Sequence, residues 1–458
     1  MLIDVASAPR LKVALPAPSE QTLRAVNRAQ ILSFDRRYVW RPYTSSEDHE
    51  RGDDLVVVGA EGAHLLDADG RRFLDATSSW WTCNLGYGHP RLVAALERQA
   101  RSLAHVAMAG ATHRPAAELA ERLVAAAPKG DRRLSRVFYS DDGSTSVEAA
   151  LKIAFQYWAQ NGRPERTRFL ALPGAYHGDT LGAMSVGALE EVGRVFRPLL
   201  IDLNDAPQPH TAGEWERAID ALVATLEAEG DRIAGVVVEP LVQGAAGMQI
   251  YAPALLARLR EACDRADTFL IADEVFTGLG RTGTLWACEQ AGVVPDLLCA
   301  AKGLGGGLLP FAATLATERI FEGFRGDMSR ALLHGHTFCG NPLGAAVALE
   351  VLQVMSDERV LENLAPKAAA IARRFEQLAV LNGASRPRAL GMIGAIDLGG
   401  GGYLGRTGWR VHEAAKRRGV LLRPLGDTVY VVPPLTIGED DLAWLLDAVE
   451  ASVREVMT

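Results

Sequence analysis

The chain has 458 residues, 48% hydrophobic and 23% charged, with 48 Lys+Arg against 56 Asp+Glu and a formal net charge of −8. That composition excludes disorder as the main theme, predicts more than one domain at this length, and argues against nucleic acid, since no basic excess exists to neutralise phosphates. The 45 glycines are the one departure, about 10% against an average of about 7%, and no Gly-X-Y period accounts for them.

Residues 1–30 read as a flexible, Ala/Pro-rich extension in which Asp4, Arg10 and Lys12 interrupt the apolar residues. The unbroken apolar core of a secretory signal is missing, and no apolar run approaches the roughly 18 residues of a bilayer span. The five cysteines are odd in number and lack Cys-x-x-Cys spacing, so buried reduced thiols on a cytoplasmic protein are expected. Residues 55–75 predict a hairpin turning at Asp67-Ala68-Asp69-Gly70. Short apolar runs then alternate with amphipathic helices. Strands are predicted at 135–140, 168–172, 233–239, 268–273, 297–300 and 312–317, with helices at 144–160, 213–229 and 253–266. This alternation predicts an α/β domain with a mostly parallel sheet. From about 343 the pattern changes to helices at 343–356 and 358–380, strands near 389–398, 420–423 and 428–432, and a closing helix near 437–456. A smaller α+β domain is expected there, with residues 31–76 packing near it.

In an open parallel sheet, ligands bind beyond the carboxyl ends of the strands, so the polar residues that follow each strand carry the functional signal. After 135–140 come Asp141-Asp142-Gly143-Ser144-Thr145-Ser146 and a helix, in which Thr145 and Glu148 match a capping box. Such a start offers free N–H groups and hydroxyls to a phosphate. After 168–172 comes Gly174-Ala175-Tyr176-His177-Gly178-Asp179. The strand 233–239 ends at Glu239-Pro240, a weakly informative pair. The strand 268–273 ends at Asp273-Glu274, adjacent acids at the mouth of the sheet that need a partner if buried. Residues 278–283 match G-x-G-x-x-G, but the acids just upstream oppose a pyrophosphate, and no second strand ending in an acid follows at the required offset. After 297–300 come Lys302 and a run of glycines; a lysine in an apolar pocket is suited to Schiff-base chemistry. His334-Gly335-His336-Thr337 precedes another helix, and with no Cys, Asp or Glu expected nearby, no metal site is predicted.

Together these strand ends meet the needs of pyridoxal 5′-phosphate: a phosphate cradle at Gly143, Ser144 and Thr337, an aromatic face at Tyr176, a carboxylate for the ring nitrogen at Asp273, and a lysine for the aldehyde at Lys302. Over roughly 35–455 the chain resembles the class III pyridoxal-phosphate aminotransferases of fold type I, most closely in IADEVFTGLGRTG with Lys302. The segments RPYTS (41–45), SSWWTCNLGYGHP (78–90), SDDGSTSVEAALKIAFQYW (140–158), AYHGDTLGAMSVG (175–187), HGHTFCGNPL (334–343) and RPLGDTVYVVPP (423–434) narrow the likeness. They resemble the branch that converts 8-amino-7-oxononanoate to 7,8-diaminononanoate in biotin biosynthesis, with S-adenosylmethionine as the expected amino donor.

The resemblance implies a seven-stranded, mostly parallel sheet in a large domain over 77–342, a small domain over 343–458, and a homodimer with the active site at the subunit interface. Lys302 would carry the cofactor and shuttle the proton, and Asp273 would pair with the ring nitrogen. Tyr176 and His177 would flank the ring. Gly143, Ser144 and, from the second subunit, Thr337 would hold the phosphate. Tyr43, Trp80 and Trp81 would line the substrate pocket, Tyr43 close to the chemistry, and Arg423 beside Tyr430 would bind the substrate carboxylate. Asp142 stands where many relatives carry a small polar residue; charge repulsion predicts that it turns from the phosphate and caps the helix. Rival expectations are a class III enzyme acting on 4-aminobutyrate, ornithine or polyamines, a non-catalytic cofactor-binding protein, and an NAD-dependent oxidoreductase.

Overall fold

The computed structural model describes residues 27–52, 54–187, 193–200 and 208–458, so most of the expected N-terminal extension lies outside the described residues. The chain divides into two compact units, Met1–Ala60 with Leu65–Phe73, and Glu61–His64 with Leu74–Thr458. In the first unit Asn27 caps the helix Arg28–Tyr38, so the last residues assigned to the extension are helical. Arg41 is held between Asp35 (2.5 Å) and Asp54 (2.9 Å). The turn after Leu66 forms as its residues suggest: Asp67 Oδ1 accepts the backbone N–H of Asp69 and of Arg71. The hairpin region contains three strands rather than two, Val57–Glu61, His64–Asp67 and Arg72–Asp75.

The second unit is built on a sheet of six strands among the described residues, where the resemblance implies seven. In chain order they are β1 (Leu134–Ser140), β2 (Arg168–Ala171), β3 (Ile233–Val238), β4 (Phe269–Asp273), β5 (Leu297–Ala300) and β6 (Ala312–Thr317). Their spatial order is β1-β6-β5-β4-β3-β2. The pairs β5–β4, β4–β3 and β3–β2 are parallel, and β6 runs antiparallel to both its neighbours. The carboxyl ends of β1 to β5 therefore open on one edge. Strands β3, β4 and β5 are buried throughout, as continuous apolar runs must be when helices cover both faces.

On one face Val147, Ala150 and Ala154 of the helix Gly143–Gln160 pack with Val237, Ile271 and Cys299. On the other, Leu222 and Leu226 of Ala212–Glu229 and Leu256 and Leu259 of Pro253–Arg265 pack with Val236, Val238 and Leu270. The helix Pro342–Asp357, assigned from sequence to the smaller domain, lies against Pro90–Ser102 and Arg114–Ala126.

Beyond it two expected boundaries shift. The helix expected from 358 begins at Ala365, with Pro366 in its first turn, after a short 3-10 turn at Leu361–Asn363. The strand expected near 389–398 is a hairpin of Ala384–Leu390 and Ile393–Leu398, which Thr428–Val431 extends to three strands. Its first strand has no apolar alternation to read; Arg386 and Arg388 tie it to Asp397 (2.6 and 2.8 Å). The capping box is also placed differently. Asp142 and Thr145 form it, and Glu148 instead accepts from the N–H groups of Gly182 and Ala183. All five cysteines are free thiols, and no described helix is long and apolar enough to cross a membrane.

Leu298 of β5 is fully buried in the largest apolar cluster. Leu298→Ala should lower the unfolding free energy by about 2–5 kcal/mol, read as the denaturant midpoint. Val380→Ala, at an 80% exposed site, should stay within about 0.5 kcal/mol.

Candidate active site

The carboxyl ends of the strands converge on a cavity of about 530 Å³ lined by Trp81, Ser144, Tyr176, Asp273, Phe276 and Lys302, among others. Lys302 follows β5 in a left-handed backbone conformation (φ 44°). Such strain in a non-glycine residue concentrates at functional sites. Its Nζ lies 4.9 Å from the centroid of the Trp81 ring. Among the described residues the amine makes no hydrogen bond and no ion pair. Desolvation lowers its pKa, opposed by the carboxylates of Asp273 and Glu239. A depressed pKa leaves more free amine near neutrality, which is what a nucleophilic lysine requires.

Asp273 is positioned by register. It pairs with Cys299 across β4 and β5, three residues before Lys302. Its Oδ2 meets Nδ1 of His177 at 2.8 Å, and its Oδ1 accepts the N–H of Val275 at 3.0 Å. The neighbouring acid separates from it: Glu274 turns away and accepts from Thr277 Oγ1 and from the N–H groups of Ala287 and Cys288. Only one of the two adjacent acids therefore faces the cavity.

One corner of the cavity lies at the start of the helix Gly143–Gln160, whose first N–H groups carry the positive end of the helix dipole. Glycine is required at two positions there. A Cβ on Gly143 would lie 2.7 Å from Val275 Cγ1, and one on Gly178 would lie 2.2 Å from Ser144 Oγ. Val275 and Ser144 already fill the space a side chain would need at either position. Asp142 Oδ1 accepts the N–H of Thr145 at 2.9 Å, the expected capping role, but Asp142 also lines the cavity and so does not turn out of it.

Gly143, Ser144, Tyr176, His177, Asp273, Lys302 and Trp81 all line the cavity. The two tryptophans divide. Ser78, Ser79, Trp80 and Trp81 all have positive φ (49°, 48°, 62° and 76°), a left-handed run costing roughly 1–2 kcal/mol per residue. Trp81 is 5% exposed and Trp80 39%. Trp81 Nε1 donates to Tyr430 Oη at 3.2 Å, while the Trp80 ring carries the guanidinium of Arg423 at 4.3 Å. Trp80, Arg423 and Tyr430 thus adjoin the cavity without lining it, and no carboxylate among the described residues pairs with Arg423. Thr337 is exposed and outside the lining. Tyr43 belongs to the first unit, where it is 45% exposed with φ 49°.

Glu239, passed over as weakly informative, lines the cavity. Its Oε1 accepts from Tyr176 N and its Oε2 from Gly244 N. The strand-end rule that selected Asp273 selects it equally. A second correction concerns His336, where no Asp or Cys was expected. Its Nδ1 meets Asp141 Oδ2 at 2.9 Å and its N–H meets Cys339 Sγ at 3.0 Å, because the end of β1 and the 334–339 loop converge in space. Burial raises the pKa of the Cys339 thiol. The G-x-G-x-x-G segment packs inward. Arg281 is fully buried, donating to Pro433 O and Asn84 Oδ1 (both 2.7 Å), so that loop cannot cover a pyrophosphate.

A strand-end lysine, a buried carboxylate–histidine pair and a helix-start anion cradle on a mostly parallel sheet define the class, an aminotransferase of the pyridoxal-phosphate fold-type-I kind. Residues 45–453 match the aminotransferase class-III family, and the chain belongs to it. It is 43% identical to the adenosylmethionine-8-amino-7-oxononanoate aminotransferase of Nitratidesulfovibrio vulgaris, over 94% of this chain and 83% of that one. It is also 43% identical to the enzyme of that name from Synechococcus elongatus, over 92% and 99%. The crystal structure of the Methanocaldococcus jannaschii enzyme of the same name superposes with a TM-score of 0.89 at 34% identity, covering 94% of this chain and 99% of that one. An (S)-enantioselective omega-transaminase from Thermomicrobium roseum superposes at 0.88 with 29% identity, covering 94% and 99%.

Burial pushes the carboxyls of Glu239 and Glu274 up to about 7. Each binds its proton more tightly folded than unfolded. The stability they add is full below the ordinary carboxylate pKa and is lost as pH rises through about 7. Glu239→Gln should therefore flatten the fall in unfolding free energy between about pH 5 and 8. Equal slopes in variant and parent, by denaturant titration of the cofactor-free protein, would refute this.

Proposed function

We propose that the chain aminates 8-amino-7-oxononanoate to 7,8-diaminononanoate in biotin biosynthesis, using pyridoxal 5′-phosphate as cofactor and S-adenosylmethionine as amino donor. The observation that carries the cofactor is Lys302: a desolvated amine without a hydrogen-bond partner, in one cavity with Asp273–His177 and the Gly143/Ser144 cradle. These residues fit the group. Gly143, Ser144 and the helix start would hold its phosphate, Tyr176 its ring face and Asp273 its ring nitrogen. When bound, pyridoxal phosphate supplies an aldehyde that joins an amine and a ring that withdraws electrons from the adjoining carbon.

The protein's part is positioning and proton movement. Asp273, oriented by His177, holds a proton on the ring nitrogen. Lys302 Nζ would serve as the base that accepts a proton from the donor carbon bearing the amino group and as the acid that gives it back. The same cycle in reverse aminates the acceptor, so ping-pong kinetics are expected. Trp81 offers apolar surface to the acceptor's methylene chain. Arg423, stacked on Trp80 and without a carboxylate of its own, offers a two-pronged partner to the acceptor's carboxylate. The relatives' names support this substrate over 4-aminobutyrate, ornithine or polyamines.

Two copies pair in this proposal, the partner's Thr337 completing the phosphate cradle and Tyr43 closing the substrate pocket. Exposed Leu333 and Phe338 flanking Thr337 favour such a contact. The free thiols fit a cytoplasmic protein.

Purified protein should be yellow, the colour fixed by borohydride and absent in Lys302→Ala; a coloured Lys302→Ala protein would sink the cofactor assignment. Arg423→Ala should raise the KM for 8-amino-7-oxononanoate by at least about tenfold, with cofactor affinity within about twofold of wild type. Wild-type half-reactions with S-adenosylmethionine and with lysine, run separately, test the donor.

A further inference from the structure

The left-handed run Ser78–Trp81 contains no glycine, so something outside it must hold it in place. Asp75 does so. It is 1% exposed and has no cationic partner among the described residues. Its Oδ1 accepts from Thr77 N (2.7 Å) and Thr77 Oγ1 (2.9 Å); its Oδ2 accepts from Ser79 N (2.6 Å) and Tyr87 Oη (2.6 Å). The carboxylate is fixed in turn by the backbone. Leu74 and Asp75 pair in parallel with Val420 and Leu421, and Ala76 N donates to Leu421 O. Ser78 Oγ donates to Val432 O at 2.7 Å, anchoring the other side of the turn. What this turn delivers is two aromatic faces on two cations: Trp81 against Lys302 and Trp80 against Arg423.

We propose that Asp75 is a positioning residue for the reaction: its four accepted hydrogen bonds hold the Ser78–Trp81 turn so that Trp81 faces the reactive amine and Trp80 the anion-binding guanidinium. A buried carboxylate suits the task because it is acceptor-only, and every group around it is a donor. Asparagine has the same shape but presents an NH₂ to one pair of these donors, leaving a backbone N–H unpaired. The kinetic half of this inference rests on the proposed substrate; the structural half does not.

The test uses 5-fluorotryptophan-labelled protein, with the Trp80 and Trp81 resonances assigned from Trp80→Phe and Trp81→Phe. In cofactor-free Asp75→Asn both resonances should move while those of distant tryptophans stay. In the holoenzyme the KM for 8-amino-7-oxononanoate should rise at least about tenfold, more than kcat falls. Ser79→Gly in the Asp75→Asn background should restore part of the loss, because glycine takes a left-handed φ without strain. If Asp75→Asn fails to fold, Tyr87→Phe carries the test, with the same resonances moving and KM rising about threefold. Unmoved resonances with unchanged KM in a folded variant would overturn the proposal; so would a kcat loss at constant KM. Moved resonances support the positioning role even where wild-type protein leaves 8-amino-7-oxononanoate untouched, a result that sinks the substrate assignment alone.

Discussion

An amine with no hydrogen-bond partner is expensive to keep in a protein, and the site around Lys302 is organised around that cost. Desolvation pushes the amine toward its neutral, nucleophilic form, while Asp273 and Glu239 pull it back toward the charged one. The Trp81 ring adds a weak attraction for the cation without offering an acceptor. The balance leaves the amine available rather than locked in an ion pair. It also depends on the sheet. β5 lies next to β4, which lies next to β3, so Lys302 leaves the sheet into the same cavity as Asp273 of β4 and Glu239 just past β3.

Buried carboxylates around the site share one side-chain type and differ in what they do, and the difference lies in their partners. Asp273 has one oxygen on a backbone N–H and one on an imidazole, so it can pass an orientation to a ligand in the cavity. Glu239 has one backbone N–H on each oxygen and no cation touching it; burial dominates and its pKa rises. Glu274 accepts from a hydroxyl and two N–H groups of a neighbouring loop, which makes it a tie between segments. All three are buried, so burial alone could not have sorted them into roles.

The same distinction governs what could be read from the chain before its structure was known. Asp273 and Lys302 were legible because parallel strands covered on both faces are continuous apolar runs, whose ends stand out as abrupt polar residues; Gly143 and Tyr176 were legible from the glycine-rich polar turns that follow their strands. Glu239 obeys that rule at the end of its strand, although the segment after it is weakly informative by itself. Other features left no local mark. The capping box pairs Asp142 with Thr145 although Thr145 and Glu148 match the pattern equally well, and the competing claim of Gly182 and Ala183 on Glu148 is tertiary. The contact of His336 with Asp141 joins residues far apart in the chain. The edge strand Ala384–Leu390 is held by charge pairs, which hydrophobic periodicity does not register. The division of Trp80 from Trp81 needed backbone dihedrals that no propensity predicts for Ser-Ser-Trp-Trp.

That division has a consequence for selectivity. In an extended segment adjacent side chains point to opposite faces; here a left-handed turn sends adjacent indoles to two different cations, one at the reacting centre and one suited to a distant carboxylate. The Tyr430 hydroxyl, bonded to the Trp81 indole, ties the turn to the strand just beyond Arg423. The Lys302 amine and the Arg423 guanidinium thus each lie against an indole of one hydrogen-bonded turn. Under the proposed function, the length between a substrate's reacting carbon and its carboxylate would be matched to the separation of these two groups, and relaxing the turn would change that preference without altering any residue at the chemistry.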